Sequence, residues 1–213
     1  MTSTGDPLSS PEGVGPRISA DEALQHLIAG NARFAQGAAR FPTIRKEILA
    51  QLAAGQQPFA TILGCSDSRV PPELIFDAGI GALFVVRVAG NVLAPVVRGS
   101  MQYAGVHLHT PLFVVLGHED CGAVRAALNA KLHGVRERSH IQILVDDIVP
   151  GLPEVDPDAP PATQLSRAVE ANVRWSMRQI LETPEAQARL VEGRFKLVGG
   201  VFDIASGRVT FLR

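Results

Sequence analysis

Residues 59–69 read FATILGCSDSR, a short apolar run that leads through Gly64 directly into polar residues. An apolar run of about four to eight residues without polar alternation is typical of a strand that is buried on both faces of a parallel sheet. The stretch therefore predicts a buried strand, and it places Cys65, Asp67 and Arg69 directly after the carboxyl end of that strand.

Three further apolar runs have the same character, and helix-length segments separate them. The runs are residues 83–86, 112–116 and 195–198. Room for crossover helices exists at residues 73–76, 97–109 and 123–132, so the order of elements is that of a βαβ series with right-handed connections. The sequence predicts the α/β class, with a mostly parallel central β-sheet flanked by helices.

An amphipathic helix is predicted ahead of the first strand, as an N-terminal helical arm. Ser19 and Glu22 have the spacing of a capping box, which marks the start of a helix. Apolar side chains then share one helical face: Leu24, Leu27 and Ile28. Gly30 and Asn31 interrupt this apolar pattern. A second apolar stripe predicts another helix that ends at Gly55: Ile44, Ile48, Leu49 and Leu52.

The C-terminal third of the chain adds a loop, a long helix and a hairpin. Residues 150–161 are rich in proline and acidic residues, which predicts an exposed loop. A mostly apolar stripe then predicts a long helix: Leu165, Ala168, Val169, Asn172 and Ile180. Residues 195–202 and 208–212 flank an Ala-Ser-Gly turn, so they are expected to form a hairpin that gives the sheet an antiparallel C-terminal edge strand.

Two polar motifs follow two different predicted strands. Cys65 comes directly after the first strand, and His118 and Cys121 come directly after the third. Ligands in open α/β sheets bind in the crevice at the carboxyl ends of the strands, so these motifs can converge. Two thiolates and one imidazole suit Zn²⁺, and three protein ligands leave a fourth position for water, as in catalytic zinc sites. Either motif alone fits ordinary packing, but their joint placement favours a metal site.

Asp67 and Arg69 lie two residues apart in the first motif, where a guanidinium can grip a carboxylate through two hydrogen bonds. A plain surface ion pair is the simplest interpretation. Beside a metal, the carboxylate of Asp67 has two further options: it can occupy the fourth ligand position, or it can be held by Arg69 and orient a bound water.

Composition limits the range of partners. The chain has 213 residues, 46% of them hydrophobic, which is enough for one sizeable core. We expect a flexible tail over residues 1–17, with no signal peptide or membrane span, and a single α/β domain over residues 18–213. The formal net charge of -1 gives no indication of nucleic acid or a membrane as a partner. In a cytoplasmic protein, two lone cysteines are more typical of a metal site or a catalytic role than of a disulfide.

The motif pair, CSDSR at residues 65–69 and HEDCGA at residues 118–123, resembles the CxDxR and HxxC signature of the β-class carbonic anhydrases. The similarity also includes GNARF at residues 30–34, RVPPELIFDAGIGALFVVRVAGN at residues 69–91 and GGVFDIASGRV at residues 199–209. It therefore covers nearly all of the chain after the tail.

This resemblance implies a lyase that interconverts carbon dioxide and bicarbonate with one Zn²⁺ per subunit. It assigns Cys65, His118 and Cys121 as zinc ligands. It also makes Asp67 either a fourth ligand or, when held by Arg69, the partner that orients the zinc-bound water. Zinc-bound hydroxide would attack carbon dioxide in the open state, so the Asp-Arg pair is expected to act as a gate.

The resemblance also implies a substrate pocket. Gln56, Phe84 and Tyr103 match a glutamine, a phenylalanine and a tyrosine that line the pocket of plant-type members, and Gln56 would hydrogen-bond the substrate. Ala89 and Gly122 complete the predicted pocket. By position alone, Phe84 in a strand pattern and Tyr103 in a helix also fit a role in the core. Active sites of this family form across a dimer interface, so a homodimer or homotetramer is expected.

Some positions depart from the family pattern, and two other functions remain open. Bacterial members that bicarbonate inhibits at a second site carry a tryptophan and a tyrosine where this chain has Ile62 and Phe202, although Arg87 matches their arginine. We therefore expect a site without that control. A binding or sensing protein would result if Asp67 sealed zinc as a permanent fourth ligand. A related hydrolase for carbonyl sulfide or carbon disulfide would share the same ligands.

Overall fold

The computed structural model describes residues 18–40, 49–50, 52–156, 158–193 and 195–212. The predicted tail over residues 1–17 lies outside the described residues, so its flexibility stays a prediction. Ile44 and Ile48 of the second predicted helix also lie outside them.

Within the described residues, the strands form one mixed sheet. They are β1 (Ala60–Gly64), β2 (Leu83–Arg87), β3 (Leu112–His118), β4 (Lys196–Asp203) and β5 (Arg208–Leu212). Their order is β2-β1-β3-β4-β5, and all neighbours are parallel except β4 and β5, which pair antiparallel. The predicted fold class, with its antiparallel C-terminal edge, is confirmed.

Helices lie between and around these strands. They are α1 (Ala20–Ala35), α2 (Pro72–Ile75), α3 (Pro95–Val106), α4 (Gly122–His133), α5 (His140–Ile148), α6 (Pro161–Leu181) and α7 (Pro184–Val191), with 3₁₀ turns at Ala89–Asn91 and Val149–Gly151. The sequence patterns predicted all of these elements except α5, α7 and the two 3₁₀ turns. Among the described residues, no helix has the length and apolar character that a membrane crossing requires.

Successive residues of the central strands pack against different layers, because side chains of a strand alternate between the two faces of a sheet. Ile62 packs with Leu27 of α1 on one face. Leu63 packs with Met101 of α3 and Val173 of α6 on the other. Both faces of β1 are therefore covered, which is why this strand reads as a continuous apolar run.

Part of the predicted exposed loop contributes to the core. The 3₁₀ turn Val149–Gly151 occupies its first residues, and Leu152 is only 5% exposed because it packs with Leu165 and Val169 of α6. The prediction of an exposed loop is wrong at this residue, since an apolar side chain beside a helix pair gains free energy by burial.

Gly30 and Asn31, which interrupt the apolar stripe of α1, lie inside the helix, and both are buried. The capping box of Ser19 and Glu22 is present at its start. The Asn31 amide donates to the carbonyl oxygens of Ile75 and Gly207, and its Oδ1 accepts from the Val209 main chain. Such long-range hydrogen bonds offset the free-energy cost of burying the polar Asn31 side chain within an apolar layer.

Gly30 allows α1 to approach α2, and we expect Gly30→Ala to destabilise the protein. A Cβ at this position would lie 1.9 Å from the carbonyl oxygen of Phe76, a main-chain atom. Alanine gains about 1 kcal/mol in helix propensity, but relieving this clash costs about 3 kcal/mol. The free energy of unfolding should therefore fall by about 2 kcal/mol, measured by urea denaturation.

The control for Gly30→Ala is Ala29→Gly, which makes the reverse exchange on the exposed side of the same helix. This control should cost only the propensity difference, about 1 kcal/mol. A Gly30→Ala variant as stable as the wild type would show that α1 does not need this close approach.

Candidate metal centre

Cys65, His118 and Cys121 meet where the order of the parallel strands reverses. The chain proceeds from β1 to β2 on one side and reaches β3 on the other, which makes the β1–β3 boundary a topological switch point. Cys65 follows β1, His118 ends β3 and Cys121 is the N-cap residue of α4. All three side chains are buried, and their ligand atoms lie within 4.8 Å of one another.

The imidazole of His118 has a fixed orientation and one atom without a partner. Its Nδ1 lies 2.8 Å from the main-chain oxygen of Glu119 and donates to it. The neighbouring Nε2 is buried and, among the described residues, has no hydrogen-bond partner. A buried polar atom left without a partner is costly. A metal ion bound at Nε2 would supply the missing partner, and the Glu119 carbonyl would fix the tautomer that such a ligand needs.

The two thiols are close enough to bind one ion. Cys65 Sγ and Cys121 Sγ are 4.0 Å apart, near the distance of about 3.8 Å that two sulfur ligands of a tetrahedral zinc ion adopt. The Cys121 thiol donates to Cys65, and this hydrogen bond lowers the pKa of Cys65 to about 4 although burial opposes the change. The same interaction raises the pKa of Cys121. The contact between the two thiols thus favours the thiolate form of Cys65, which is the form that binds metal.

The carboxylate of Asp67 is held by Arg69 at the edge of this cluster. Arg69 donates from Nε to Oδ1 at 2.9 Å and from Nη2 to Oδ2 at 2.8 Å, and its main-chain nitrogen adds a third bond at 2.9 Å. The Arg69 side chain keeps the pKa of Asp67 well below its usual range, so the carboxylate stays ionised at neutral pH. Asp67 Oδ2 lies 3.9 Å from His118 Nε2.

Comparison with known proteins identifies the family. The carbonic anhydrase family model matches residues 60–209. Carbonic anhydrase 2 of Mycobacterium tuberculosis is 36% identical over 194 residues, covering 91% of this chain and 93% of that protein.

The chain belongs to the β-carbonic anhydrase family.

Solved structures agree with this assignment. The structure of a β-carbonic anhydrase superposes with a TM-score of 0.72 at 28% identity, covering 89% of this chain and 95% of that one. A tetrameric β-carbonic anhydrase of Sordaria macrospora gives a TM-score of 0.70 at 24% identity, covering 90% and 97% of the two chains, and this likeness shows the fold. The predictions of the family and of an enzyme of the carbonic anhydrase class are confirmed.

In this family member, Arg87 supports the loop that carries the first motif. Its Nε donates to the carbonyl oxygen of Cys65 at 3.0 Å, and its Nη2 donates to that of Asp67 at 2.6 Å. Ile62 and Phe202, which replace the tryptophan and tyrosine of bicarbonate-inhibited members, are buried in the apolar layer on the α1 side of the sheet. Arg87 therefore supports the main chain of the first motif, and the loss of the second bicarbonate site stays a prediction.

The five predicted pocket residues of this β-carbonic anhydrase occupy different parts of the fold. Ala89 starts the 3₁₀ turn beside Cys65, and Gly122 starts α4 next to Cys121, with open space where a Cβ of residue 122 would lie.

Phe84 pairs with Thr61 on β1, which places it about 13 Å along the strand from Cys65. It packs against Tyr103, with 6.2 Å between the ring centroids, and Gln56 lies in an exposed loop. Only Ala89 and Gly122 adjoin the metal cluster within one chain.

Gly90 and Asn172 also adjoin the site, and the sequence patterns gave neither a role. The main-chain nitrogen of Gly90 lies 3.3 Å from Cys65 Sγ, and the side-chain amide of Asn172 donates to the carbonyl oxygen of Gly90 at 2.8 Å. Glycine and asparagine are typical turn residues, and this pair begins three residues after the end of β2. Asn172 is a polar residue within an apolar stripe, which is the unusual feature that could have identified it.

Proposed function

We propose that this protein catalyses the reversible hydration of carbon dioxide to bicarbonate and a proton, with one zinc ion per subunit held by Cys65, His118 and Cys121. The buried Nε2 of His118, which has no partner among the described residues and lies beside two thiols, carries the proposal. Membership in the carbonic anhydrase family supports the substrate.

The ligand set fits a catalytic zinc ion. Two thiolates and one imidazole are soft enough for zinc and leave one tetrahedral position open for water. When bound, zinc lowers the pKa of this water towards neutrality, which provides the nucleophile for carbon dioxide. The chain's own contribution is to favour the binding forms of the ligands, since the Cys121 thiol lowers the pKa of Cys65 and the Glu119 carbonyl holds the proton on His118 Nδ1.

Asp67 and Arg69 form the proposed gate. Arg69 holds the carboxylate by two side-chain hydrogen bonds, and both bonds would break if Asp67 turned to ligate zinc. In the held position, Asp67 Oδ2 faces Nε2 of His118 at 3.9 Å, where it can accept a hydrogen bond from the attacking water and orient it. This arrangement favours the enzyme over a sealed binding or sensing site, which would need Asp67 on the metal.

The remaining pocket residues support an oligomer. Phe84 lies on β2, at the edge of the sheet opposite to β5, and its ring partner Tyr103 is 42% exposed. Val96, on the same helix as Tyr103, is 83% exposed. An edge strand beside exposed apolar side chains is a surface suited to pairing with another chain. Phe84 and Tyr103 would then line the site of a neighbouring subunit in a homodimer or homotetramer, with Gln56 bonding the substrate.

Stopped-flow measurement of carbon dioxide hydration tests the proposal. Zinc-loaded protein should be active, and its activity should rise with pH through the near-neutral pKa of about 7 that zinc gives its water. Removing zinc with a chelator should abolish the activity, and adding zinc back should restore it.

Zinc-loaded protein that stays inactive between about pH 6.5 and 9, a range that brackets this pKa, would contradict the proposal. Hydrolysis of carbonyl sulfide or carbon disulfide by the same sample would then identify the alternative substrate class. Inactivity towards all three substrates would favour a zinc site sealed by Asp67.

A further inference from the structure

Three buried polar side chains lie behind the ligand Cys65, outside the metal cluster. Asn91 belongs to the 3₁₀ turn Ala89–Asn91, whereas Asn172 and Ser176 belong to α6, and each is only 1% exposed. Burying an amide or a hydroxyl costs about 1–3 kcal/mol unless it is hydrogen-bonded. Inside an apolar layer, these three side chains therefore need hydrogen-bond partners.

These side chains form one network that binds the main chain of the turn. Asn172 and Ser176 are four residues apart, so they share one face of α6. Asn172 Nδ2 donates to the carbonyl oxygen of Gly90 at 2.8 Å, and Ser176 Oγ donates to that of Asn91 at 3.0 Å. The Asn91 amide lies 3.3 Å from Ser176 Oγ and donates to it. Two consecutive carbonyl groups of the turn are thus fixed from one helix.

The turn itself has an unusual backbone that needs such support. Gly90 and Asn91 both have positive φ, at 69° and 46°. For Asn91 this conformation costs about 1 kcal/mol or more. Gly90 is also confined, because a Cβ there would lie 2.7 Å from Ile148 Cδ1 and 3.1 Å from Ala123 Cβ. The position of Gly90 is therefore determined by its surroundings.

This conformation directs the main-chain nitrogen of Gly90 at the metal ligand. The nitrogen donates to Cys65 Sγ at 3.3 Å. A hydrogen bond to sulfur stabilises the thiolate form and limits the directions in which its remaining lone pairs can bind a metal. The orientation of this N–H group depends on the turn, and the turn depends on α6.

We propose that Asn172, assisted by Ser176, is a positioning residue for the metal ligand Cys65. By holding the carbonyl groups of Gly90 and Asn91, these side chains aim the Gly90 N–H group at Sγ of Cys65 and tune the zinc site from a helix that supplies no ligand. This role rests on the proposed zinc site and adds the residues that regulate its affinity.

The test compares Asn172→Ala with Asn31→Ala. Asn31 is the matched control, because it is also a buried asparagine that bonds main-chain groups but lies on α1, away from the cluster. Zinc affinity is measured by competition with a chromophoric chelator, and the sulfur-to-metal charge-transfer band is recorded on the cobalt-substituted protein. Asn172→Ala should weaken zinc binding by about tenfold or more and shift the band. Asn31→Ala should lower the melting temperature but leave zinc affinity and the band unchanged.

Ser176→Ala removes one hydroxyl and provides the same comparison if Asn172→Ala does not fold. The inference is overturned if the substituted residue on α6 leaves zinc affinity and the band unchanged, or if Asn31→Ala alters both to the same degree. These readouts are independent of turnover. A wild-type chain that binds zinc but does not hydrate carbon dioxide would overturn the proposed function, while the comparison of the variants would still decide the role of Asn172.

Discussion

The Cys65→Ala variant is expected to lose its zinc and to hydrate carbon dioxide no faster than the buffer does. Cys65 supplies one of the two sulfur ligands of the proposed site, and the Cys121 thiol lowers its pKa. Its removal leaves His118 and Cys121, and two ligands do not hold zinc in the tetrahedral site that three ligands and a water complete. Zinc content after dialysis and stopped-flow hydration measure the two effects.

Ser66→Ala is the control for this substitution, because Ser66 is the exposed neighbour of Cys65 in the same loop. It should keep both zinc and activity. Full zinc occupancy in Cys65→Ala would contradict the proposed ligand set and would indicate that the metal binds elsewhere in the chain.

Asp67→Asn is expected to keep zinc and to lose about 100-fold or more in the rate of hydration, the usual contribution of a group that accepts or holds a proton in the transition state. Asparagine has the same shape as aspartate but no charge, and its NH₂ group cannot accept a hydrogen bond. The bidentate contact with Arg69 is therefore lost, together with the acceptor that orients the water. The cluster of Cys65, His118 and Cys121 is unchanged, so zinc content should match that of the wild type.

Asp120→Asn makes the same change of charge close to the same arginine. Asp120 lies 4.0 Å from Arg69 Nη1 and is 59% exposed, so its pairing with Arg69 should contribute little. Its activity should remain within about twofold of the wild type, as expected for an exposed ion pair. If Asp67→Asn loses its zinc as well as its activity, Asp67 is an obligatory zinc ligand, and the proposed role of Asp67 and Arg69 as a gate is wrong.

The sequence by itself determined the fold class and the family. The strands were predictable because a strand buried on both faces needs consecutive apolar residues, as β1 and β3 show. The hairpin of β4 and β5 was predictable because a short turn with glycine joins two apolar runs. The two candidate metal-ligand motifs were recognisable because their chemistry resides in the residue types, and each motif lies at the end of its strand.

Only the tertiary structure decided how polar residues within apolar patterns are used. Asn31 interrupts the apolar stripe of α1 and Asn172 lies within that of α6, yet each bonds main-chain groups that are distant in sequence. The structure likewise shows that Arg69 binds the Asp67 carboxylate through two side-chain hydrogen bonds. The sequence spacing alone did not decide between this contact and a position of Asp67 on the metal. The physical reason is that a buried polar group is stable only with its partner in place, and that partner comes from another element brought close by the fold.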